Sequence, residues 1–306
     1  MTARVIDPSS SEWPQGLSEF CPESLPGQLH VEGRTIPDYK DCVAIVGTRR
    51  PTAAGRDAAR TFARAMAEAG FAVVSGLAMG IDAQAHLGAL EAGGHTIAVL
   101  GCGLDIDYPK ENAALRERIR QEGTLVTEYP EGTAPHPQFF PARNRIVAGL
   151  SWSTIVVEGG QRSGASITAR LALEGNRSVF AVPGSIRNPY AACPNELIRA
   201  GEATLVMNPQ HVFDELAPSL VWDGERVIGG KRLPRIDEVE MRILIALDDA
   251  PVGVEELRKS VEVAGGKISL ALAKLEVRGW IRRGFTGAYE MSEGGVRVLN
   301  QLGATP

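Results

Sequence analysis

From Val43 onward the chain alternates short apolar runs with helix-periodic stretches, and this alternation limits its possible folds more than any other feature. Seven runs read as strands: residues 43–46, 71–75, 96–100, 124–127, 154–157, 178–182 and 204–207. They are apolar nearly throughout rather than alternating, as strands of a parallel sheet covered on both faces must be. Between them Phe62, Met66 and Ala69 recur at helical spacing, and Ile81, Ala85 and Leu87 to Leu90 do so less regularly. Repeated βα units of this kind predict one large, doubly wound α/β domain over residues 43–216. Residues 1–42 show no convincing regular element.

Nearly every run ends in glycine: Gly47, Gly76, Gly101 with Gly103, Gly159 with Gly160, and Gly184. Open α/β sheets bind ligands outside the carboxyl ends of their strands. Glycine there lets main-chain N–H groups approach an anion, and the following helix N-terminus adds a favourable dipole. Any single glycine only makes a tight turn, whereas five on one edge point to a phosphate-binding face. No G-x-x-x-x-G-K-[ST] run occurs, and Gly101-Cys102-Gly103 lacks the third glycine of the dinucleotide fingerprint. ATP hydrolysis on a P-loop and NAD binding both lose support, and no cofactor is expected. The richest anion candidate is Gly159-Gly160-Gln161-Arg162-Ser163-Gly164-Ala165-Ser166, small and hydroxyl residues between a strand and a helix starting near Ala165.

Phe139-Phe140-Pro141-Ala142-Arg143-Asn144-Arg145 sets two aromatics beside two cations flanking an amide. Single-stranded nucleic acid is held by cations along its backbone and aromatic faces under its bases. Two roles are open for this segment alone: that one, or a phenylalanine in the core with Arg143 and Arg145 paired to carboxylates such as Glu128 or Glu158. Arg49 and Arg50, directly after Gly47-Thr48, fall on the same sheet edge and favour binding. Asp82 and His86 lie four apart on the helix expected after Gly76-Leu77-Ala78-Met79-Gly80. With no Ser or Cys nucleophile motif beside them, a local hydrogen-bonded pair is expected rather than a general base and its orienting carboxylate.

The formal net charge is -5, which disfavours a polyanion partner until its distribution is considered. Residues 143–199 hold 7 basic and 3 acidic side chains inside an otherwise acidic or balanced chain. Chance variation suffices to explain that excess by itself. Cys21, Cys42, Cys102 and Cys193 form no C-x-x-C pair and no metal-ligand spacing, so free buried thiols are expected and a metal site is not. No apolar stretch is long enough to span a bilayer and no signal-peptide pattern opens the chain, which sets a cytoplasmic expectation without membrane contact.

Residues 217–236 carry Pro218, Gly224, Gly229, Gly230 and Pro234 and read as a linker. Beyond it, Val239, Ile243 and Leu247 mark one helix, residues 254–261 a second, and Ile268, Ala271, Leu272 and Leu275 a third. Residues 280–283 and 288–292 then flank a glycine-bearing turn, a hairpin signal. Three helices closed by a hairpin outline a winged-helix domain over residues 237–300.

These residues resemble the DNA processing protein A (DprA, or Smf) family. The matching stretches are Val43-Ala44-Ile45-Val46-Gly47-Thr48-Arg49, residues 74–86, Tyr108-Pro109-Lys110-Glu111-Asn112, residues 140–150, Ser163-Gly164-Ala165-Ser166-Ile167-Thr168-Ala169 and Val179-Phe180-Ala181-Val182-Pro183-Gly184. They follow family order across residues 43–208, and residues 13–33 look like the family's lead-in. The resemblance implies an extended Rossmann-like domain that binds and protects single-stranded DNA, forms a homodimer and loads the RecA recombinase in natural transformation and recombination. Single-stranded DNA-binding protein is a further implied partner, and no catalytic residue is implied. Motif by motif, it nominates Gly47, Arg49, Lys110, Phe140, Arg143, Asn144, Arg145, Ser163 and Gly164 for the DNA pocket. Two departures stand out. The 42 residues before the first strand are too few for the helical sterile-alpha-motif-like domain many members carry, and Thr127 replaces a more usual serine.

Two competing readings follow from the residues. A nucleotide phosphoribohydrolase on a similar fold would need a P-G-G-x-G-T loop with a following glutamate, and residues 159–164 lack both the proline and the threonine. A winged-helix DNA reader would have only Lys267, Lys274 and Arg278 as cations on its third helix, in a unit close to neutral, so a role in protein contact or dimer stabilisation is at least as well supported.

Overall fold

The computed structural model describes residues 3–20, 25–228, 236–248, 250–261, 265–284, 287–292, 295–296 and 298–299. The chain divides into two compact units, residues 1–232 and 233–306.

A nine-stranded sheet organises the first unit. In chain order its strands are β1 (Arg4–Ile6), β2 (Leu29–Gly33), β3 (Cys42–Val46), β4 (Ala72–Ser75), β5 (Thr96–Val99), β6 (Thr124–Thr127), β7 (Ser153–Val156), β8 (Ser178–Ala181) and β9 (Thr204–Leu205). They lie side by side as β1-β2-β6-β5-β4-β3-β7-β8-β9. From β6 across to β9 every pairing is parallel. The chain builds outward from β3 to β6, then crosses back to place β7 against β3, with Val43 opposite Ser153 and Val46 opposite Val156. The topological switch point therefore falls between β3 and β7, where such sheets open a crevice. All residues of β3 to β7 are buried, which is why these runs are mostly apolar, with only hydroxyl-bearing Ser and Thr among their polar residues.

Helices cover both faces: α1 (Gln15–Phe20), α2 (Ala53–Glu68), α3 (Ile81–Glu91), α4 (Ala113–Glu122), α5 (Phe139–Gly149), α6 (Gly164–Glu174), α7 (Ala192–Arg199) and α8 (Pro209–Leu216). On one face Ala59, Phe62, Ala63 and Met66 of α2 pack with Ala85, Ala89 and Phe213 against Val43, Ile45 and Val73. Gly88 lets α2 and α3 approach closely, since a Cβ there would fall 2.5 Å from the Arg60 carbonyl oxygen. On the other face Leu17, Ile146, Val147, Ala165, Ala169 and Ala172 meet Val46, Val74 and Val99.

The residues ahead of 43, expected to hold no regular element, supply β1, α1 and β2. The β2 strand pairs antiparallel with β6, Val31 opposite Val126, and β1 pairs antiparallel with β2. Burial in β2 follows the alternation Leu29-His30-Val31-Glu32. The expected linker also differs. A short hairpin, β10 (Val221–Trp222) with β11 (Val227–Ile228), closes the first unit, with buried Leu220 and half-buried Trp222 and Val227 packed on the α2 side. The Val227 N–H donates to Glu68 Oε2 at 3.1 Å. Residues 229–235 lie outside the described residues.

The second unit holds α9 (Glu238–Ala246), α10 (Val254–Ser260), α11 (Gly265–Val277) and an antiparallel hairpin, β12 (Ile281–Arg283) with β13 (Tyr289–Met291). Val252 bridges to Tyr289 beside the hairpin, completing a winged-helix arrangement around Ile243, Leu257, Ile268, Leu272 and Leu275. Two of the three cations expected on its third helix turn inward. Arg278 lies 2.9 Å and Lys274 3.6 Å from the carboxylate of Glu240, which is only 1% exposed. Arg278 also stacks on Trp280.

Among the described residues Cys42, Cys102 and Cys193 are free and buried, and no group of three metal-capable side chains occurs. Cys21 lies outside the described residues. No helix among the described residues is long and apolar enough to cross a membrane.

Candidate functional site

An open cavity of about 630 Å³ lies at the carboxyl ends of the central strands, around the switch point. Its wall is formed by the loops after β3, β4 and β7, the first turn of α5, the start of α6, and Tyr108 and Tyr190 from the loops after β5 and β8. A narrow recess continues beneath Phe140, lined by Met79, Gly101, Cys102 and Tyr108.

Glu158, just after β7 and 7% exposed, fixes two of these loops. Its carboxylate accepts from the Thr52 N–H at 2.9 Å, the Thr52 hydroxyl at 2.7 Å and Asn188 Nδ2 at 3.0 Å. Its carbonyl oxygen accepts from the Thr48 N–H at 2.7 Å. Thr52 in turn caps α2 by accepting from the Gly55 N–H. Residues 48–52 are thereby pinned at both ends, and Arg49 and Arg50 between them point into solvent. Gly47 is required here by packing: a Cβ would fall 2.4 Å from the Ile81 side chain and 2.8 Å from the Glu158 carbonyl oxygen.

The turn after β4 is held just as closely. Leu77 has a φ of +54°, a conformation that non-glycine residues seldom adopt. Asp82 Oδ2 accepts from the N–H groups of Gly76 and Ala78, His86 Nε2 accepts from that of Leu77, and Asn112 donates to the Leu77 carbonyl. Asp82 and His86 thus do not form the expected pair with each other; each one holds the main chain of the turn. Because His86 Nε2 accepts, the hydrogen-bond network assigns the ring proton to Nδ1, which donates to Thr96 Oγ1 at 2.7 Å. Burial, with Arg143 nearby, holds His86 down to about 3. Burial pushes Asp82 upward against the opposing pull of Arg143 and the two amides.

On α5 the structure separates the nominated residues. Arg143 is 5% exposed, and its guanidinium donates to the carbonyls of Gly76, at 2.6 Å, and Val99, and to Asn144 Oδ1. Asn144 Nδ2 reaches the Gly164 carbonyl at 3.2 Å, tying α5 to the start of α6. Arg145 makes a two-pronged ion pair with Glu128 at 2.7 and 2.6 Å. Phe140 is half-buried and keeps one face near the cavity, with Tyr108 stacked at 5.3 Å and the Arg49 guanidinium 5.3 Å from its ring centre. Phe139 instead stacks on Tyr129 at 4.2 Å.

The α6 N-terminus closes the wall. Ser163 and Ser166 form a reciprocal capping box. The first N–H groups of a helix have no intrahelical partner, and Gly164 leaves open space where a side chain would stand, with only Asn144 Nδ2 at 3.9 Å. This is a ready anion seat.

Seven of the nine nominated residues therefore line the cavity: Gly47, Arg49, Phe140, Arg143, Asn144, Ser163 and Gly164. Arg145 is engaged with Glu128, and Lys110 is exposed just beyond Pro109, outside the lining. The lining adds Arg50, Arg162, Tyr108 and Tyr190, none of which was nominated. Arg50 is placed on this sheet edge by its position after Gly47-Thr48, whereas Arg162, inside the glycine-rich loop, meets the basic segment only through the assembled sheet edge. Among the described residues Arg49, Arg50 and Arg162 are exposed and make no ion pair.

Comparison with known proteins gives the same assignment as the motifs. The model of the family described as DNA recombination-mediator protein A matches residues 4–217. Protein Smf of Escherichia coli (strain K12) is 37% identical over 274 residues, 86% of this chain and 73% of that protein. DNA processing protein DprA of Bacillus subtilis is 43% identical over 213 residues, 69% of this chain and 71% of that one. Among solved structures, DprA of Streptococcus pneumoniae superposes with a TM-score of 0.65 at 38% identity, covering 70% of this chain and 75% of that one. DNA processing protein A of Helicobacter pylori, solved to describe its single-stranded DNA binding mode, gives 0.63 at 31% identity, covering 71% and 97%. On these matches and on the motifs that line the cavity, the chain belongs to the DNA recombination-mediator protein A (DprA/Smf) family.

Proposed function

We propose that the cavity binds single-stranded DNA without sequence preference. Arg49, Arg50 and Arg162 neutralise phosphates, the α6 N-terminus at Ser163 and Gly164 seats one phosphate, and the faces of Phe140 and Tyr108 support bases. Arg143, Asn144, Arg145 and Gly47 act from behind, by holding the loops that present those groups. The observation that carries this reading is the set of exposed arginines without ion pairs on adjacent loops around an aromatic stack. Cations and aromatic faces together are what an unpaired polynucleotide requires. Phosphate contacts position a strand without specifying its sequence, so preference among oligonucleotides is weak. The Helicobacter pylori relative, a single-stranded DNA binder by its own description, supports the same reading.

By family membership the chain acts as a homodimer that protects the strand and delivers it to a RecA-type recombinase during transformation and recombination. A single-stranded DNA-binding protein is a further partner in this reading. No catalytic step is assigned: Asp82 Oδ2 and His86 Nε2 accept from main-chain N–H groups and serve the turn after β4.

Titrating single-stranded and duplex oligonucleotides across a salt series tests the binding reading. Single strands bind more tightly, and log affinity falls with log salt at a slope of about -0.7 per neutralised phosphate. Equal affinity for duplex, or no salt dependence, overturns it. Delivery is tested by the rate at which RecA filaments nucleate on protein-coated single strands with and without this chain.

A further inference from the structure

Charge is divided along the carboxyl edge of the sheet. On the β4-β5-β6 side, the loops following β5 and β6 carry Asp105, Glu111 and Glu131 with no ion pair among the described residues, Asp107 and Glu128 being paired with Arg116 and Arg145, against the single exposed cation Lys110. On the β3-β7-β8 side the corresponding loops carry Arg49 and Arg50, then Arg162, then Arg187. The acid on that side is Glu158, which is buried and committed to Thr52 and Asn188. Neighbouring strands are about 4.8 Å apart, so the three cation-bearing loops step across roughly 10 Å from β3 to β8.

The loop after β8 is built as a fixed platform. Asn188 is tied to Glu158 and accepts from the Tyr190 N–H, while the Gly159 N–H donates to the Tyr190 carbonyl. Asn195 brackets Gly184 with two hydrogen bonds, at 3.1 and 2.9 Å, and the Asn188 N–H donates to the Ser185 carbonyl. On this braced turn Ile186 is 96% exposed and Arg187 beside it is exposed with no ion pair among the described residues. Tyr190, from the same loop, lines the cavity. An apolar side chain held almost wholly in water next to a cation, on a rim continuous with a cationic cavity, suits a polyanion with apolar faces.

We propose that a bound single strand leaves the cavity across the ends of β7 and β8, with Arg187 on a phosphate and Ile186 against a base. This extension rests on the reading that the cavity takes single-stranded DNA. The acidic loops after β5 and β6 repel the strand and fix its direction of exit.

The test uses the full chain and a ladder of oligo-dT from about four to about twenty nucleotides, followed by fluorescence anisotropy. Arg187→Glu weakens the longest oligonucleotides by about tenfold and lowers their salt slope by about 0.7, and leaves the shortest within about twofold. Ile186→Ser weakens the long ones without changing the slope, because an apolar contact releases no counterion. Lys110→Glu, the same charge change on the acidic side, produces a smaller loss. Equal effects of Arg187→Glu at every length, no effect at any length, or a larger length-dependent loss from Lys110→Glu would each overturn the proposed exit. Failure of the unaltered protein to bind oligo-dT of any length would instead remove the cavity reading itself.

Discussion

Arg143 donates from α5 to the Gly76 carbonyl at 2.6 Å, across the sheet edge, so its guanidinium is part of the wall's frame. It also reaches the Val99 carbonyl, and Gly76 cannot carry a side chain because a Cβ there would collide with the guanidinium. Arg143→Ala leaves both carbonyls without that donor and removes the cation beside buried Asp82, whose Oδ2 keeps its two main-chain N–H donors, and it destabilises the first unit by about 3 kcal/mol. Arg143→Lys restores little, since a point charge cannot reproduce the planar fork. Urea titrations of both variants check this, and full stability of Arg143→Ala would remove the framing role.

Glu158→Gln keeps the size of the side chain but replaces one accepting oxygen with an NH2 group that cannot accept from Thr52 or Asn188. Losing a charge-assisted bond of this kind costs about 2 kcal/mol. The loops bearing Arg49 and Arg187 loosen together, so affinity for single strands falls although the net charge becomes less negative. Raised affinity would show that the carboxylate acts only as a repulsive charge.

Phe140→Ala removes the aromatic face between Tyr108 and Arg49. Stacking on such a face contributes about 1 to 3 kcal/mol per base, so affinity for oligo-dT drops by one to two orders of magnitude with the salt slope unchanged. Phe140→Tyr retains most of it. Calorimetry at two salt concentrations separates this loss from a phosphate contact.

Burial holds both His86 and His95 down to about 3, with Arg143 and Arg34 adding to the shift. The unfolded chain takes up these protons near pH 6.5 and the folded chain does not. Their stabilisation is therefore complete above pH 6.5 and declines as pH falls toward 3, by up to about 1.4 kcal/mol per pH unit for each histidine. Asp82, pushed upward, acts in the opposite sense at the acidic end. Denaturation midpoints between pH 7.5 and 5 drop for the unaltered protein and drop less for His86→Gln; identical slopes would contradict the buried-neutral assignment.

In the second unit Arg278→Ala strips the nearest cation from buried Glu240, leaving Lys274 at 3.6 Å. Removing one partner of a buried pair costs about 3 kcal/mol, and thermal unfolding of the small unit moves accordingly. Single-strand affinity at low temperature stays the same, because Lys274 and Arg278 serve that unit's core. A large loss of affinity there would make α11 a DNA reader.

The inner strands β3 to β8 were legible because strands covered on both faces are largely apolar, as in Val43-Ala44-Ile45-Val46, whereas β9 is a two-residue exposed edge. The outer strands β1 and β2 escaped because β1 is a three-residue edge and β2, between β1 and β6, buries only alternate residues, so three to five residues leave too few apolar positions to stand out. The sequence pattern marked no element over residues 139–149; they form α5, with Pro141 in the first turn, where its missing N–H costs no intrahelical bond.

The local sequence determined which residue types gather on the carboxyl edge: the glycines, the arginines and the paired phenylalanines. It did so because turn, cap and strand preferences act over a few residues. Only the tertiary structure decided which of those groups face a ligand. Arg143 and Arg49 carry the same charge, yet one is sunk against the carbonyls of Gly76 and Val99 while the other stands in solvent over Phe140. Burial and pairing depend on strands brought together from distant parts of the chain, and no short-range pattern encodes that distinction.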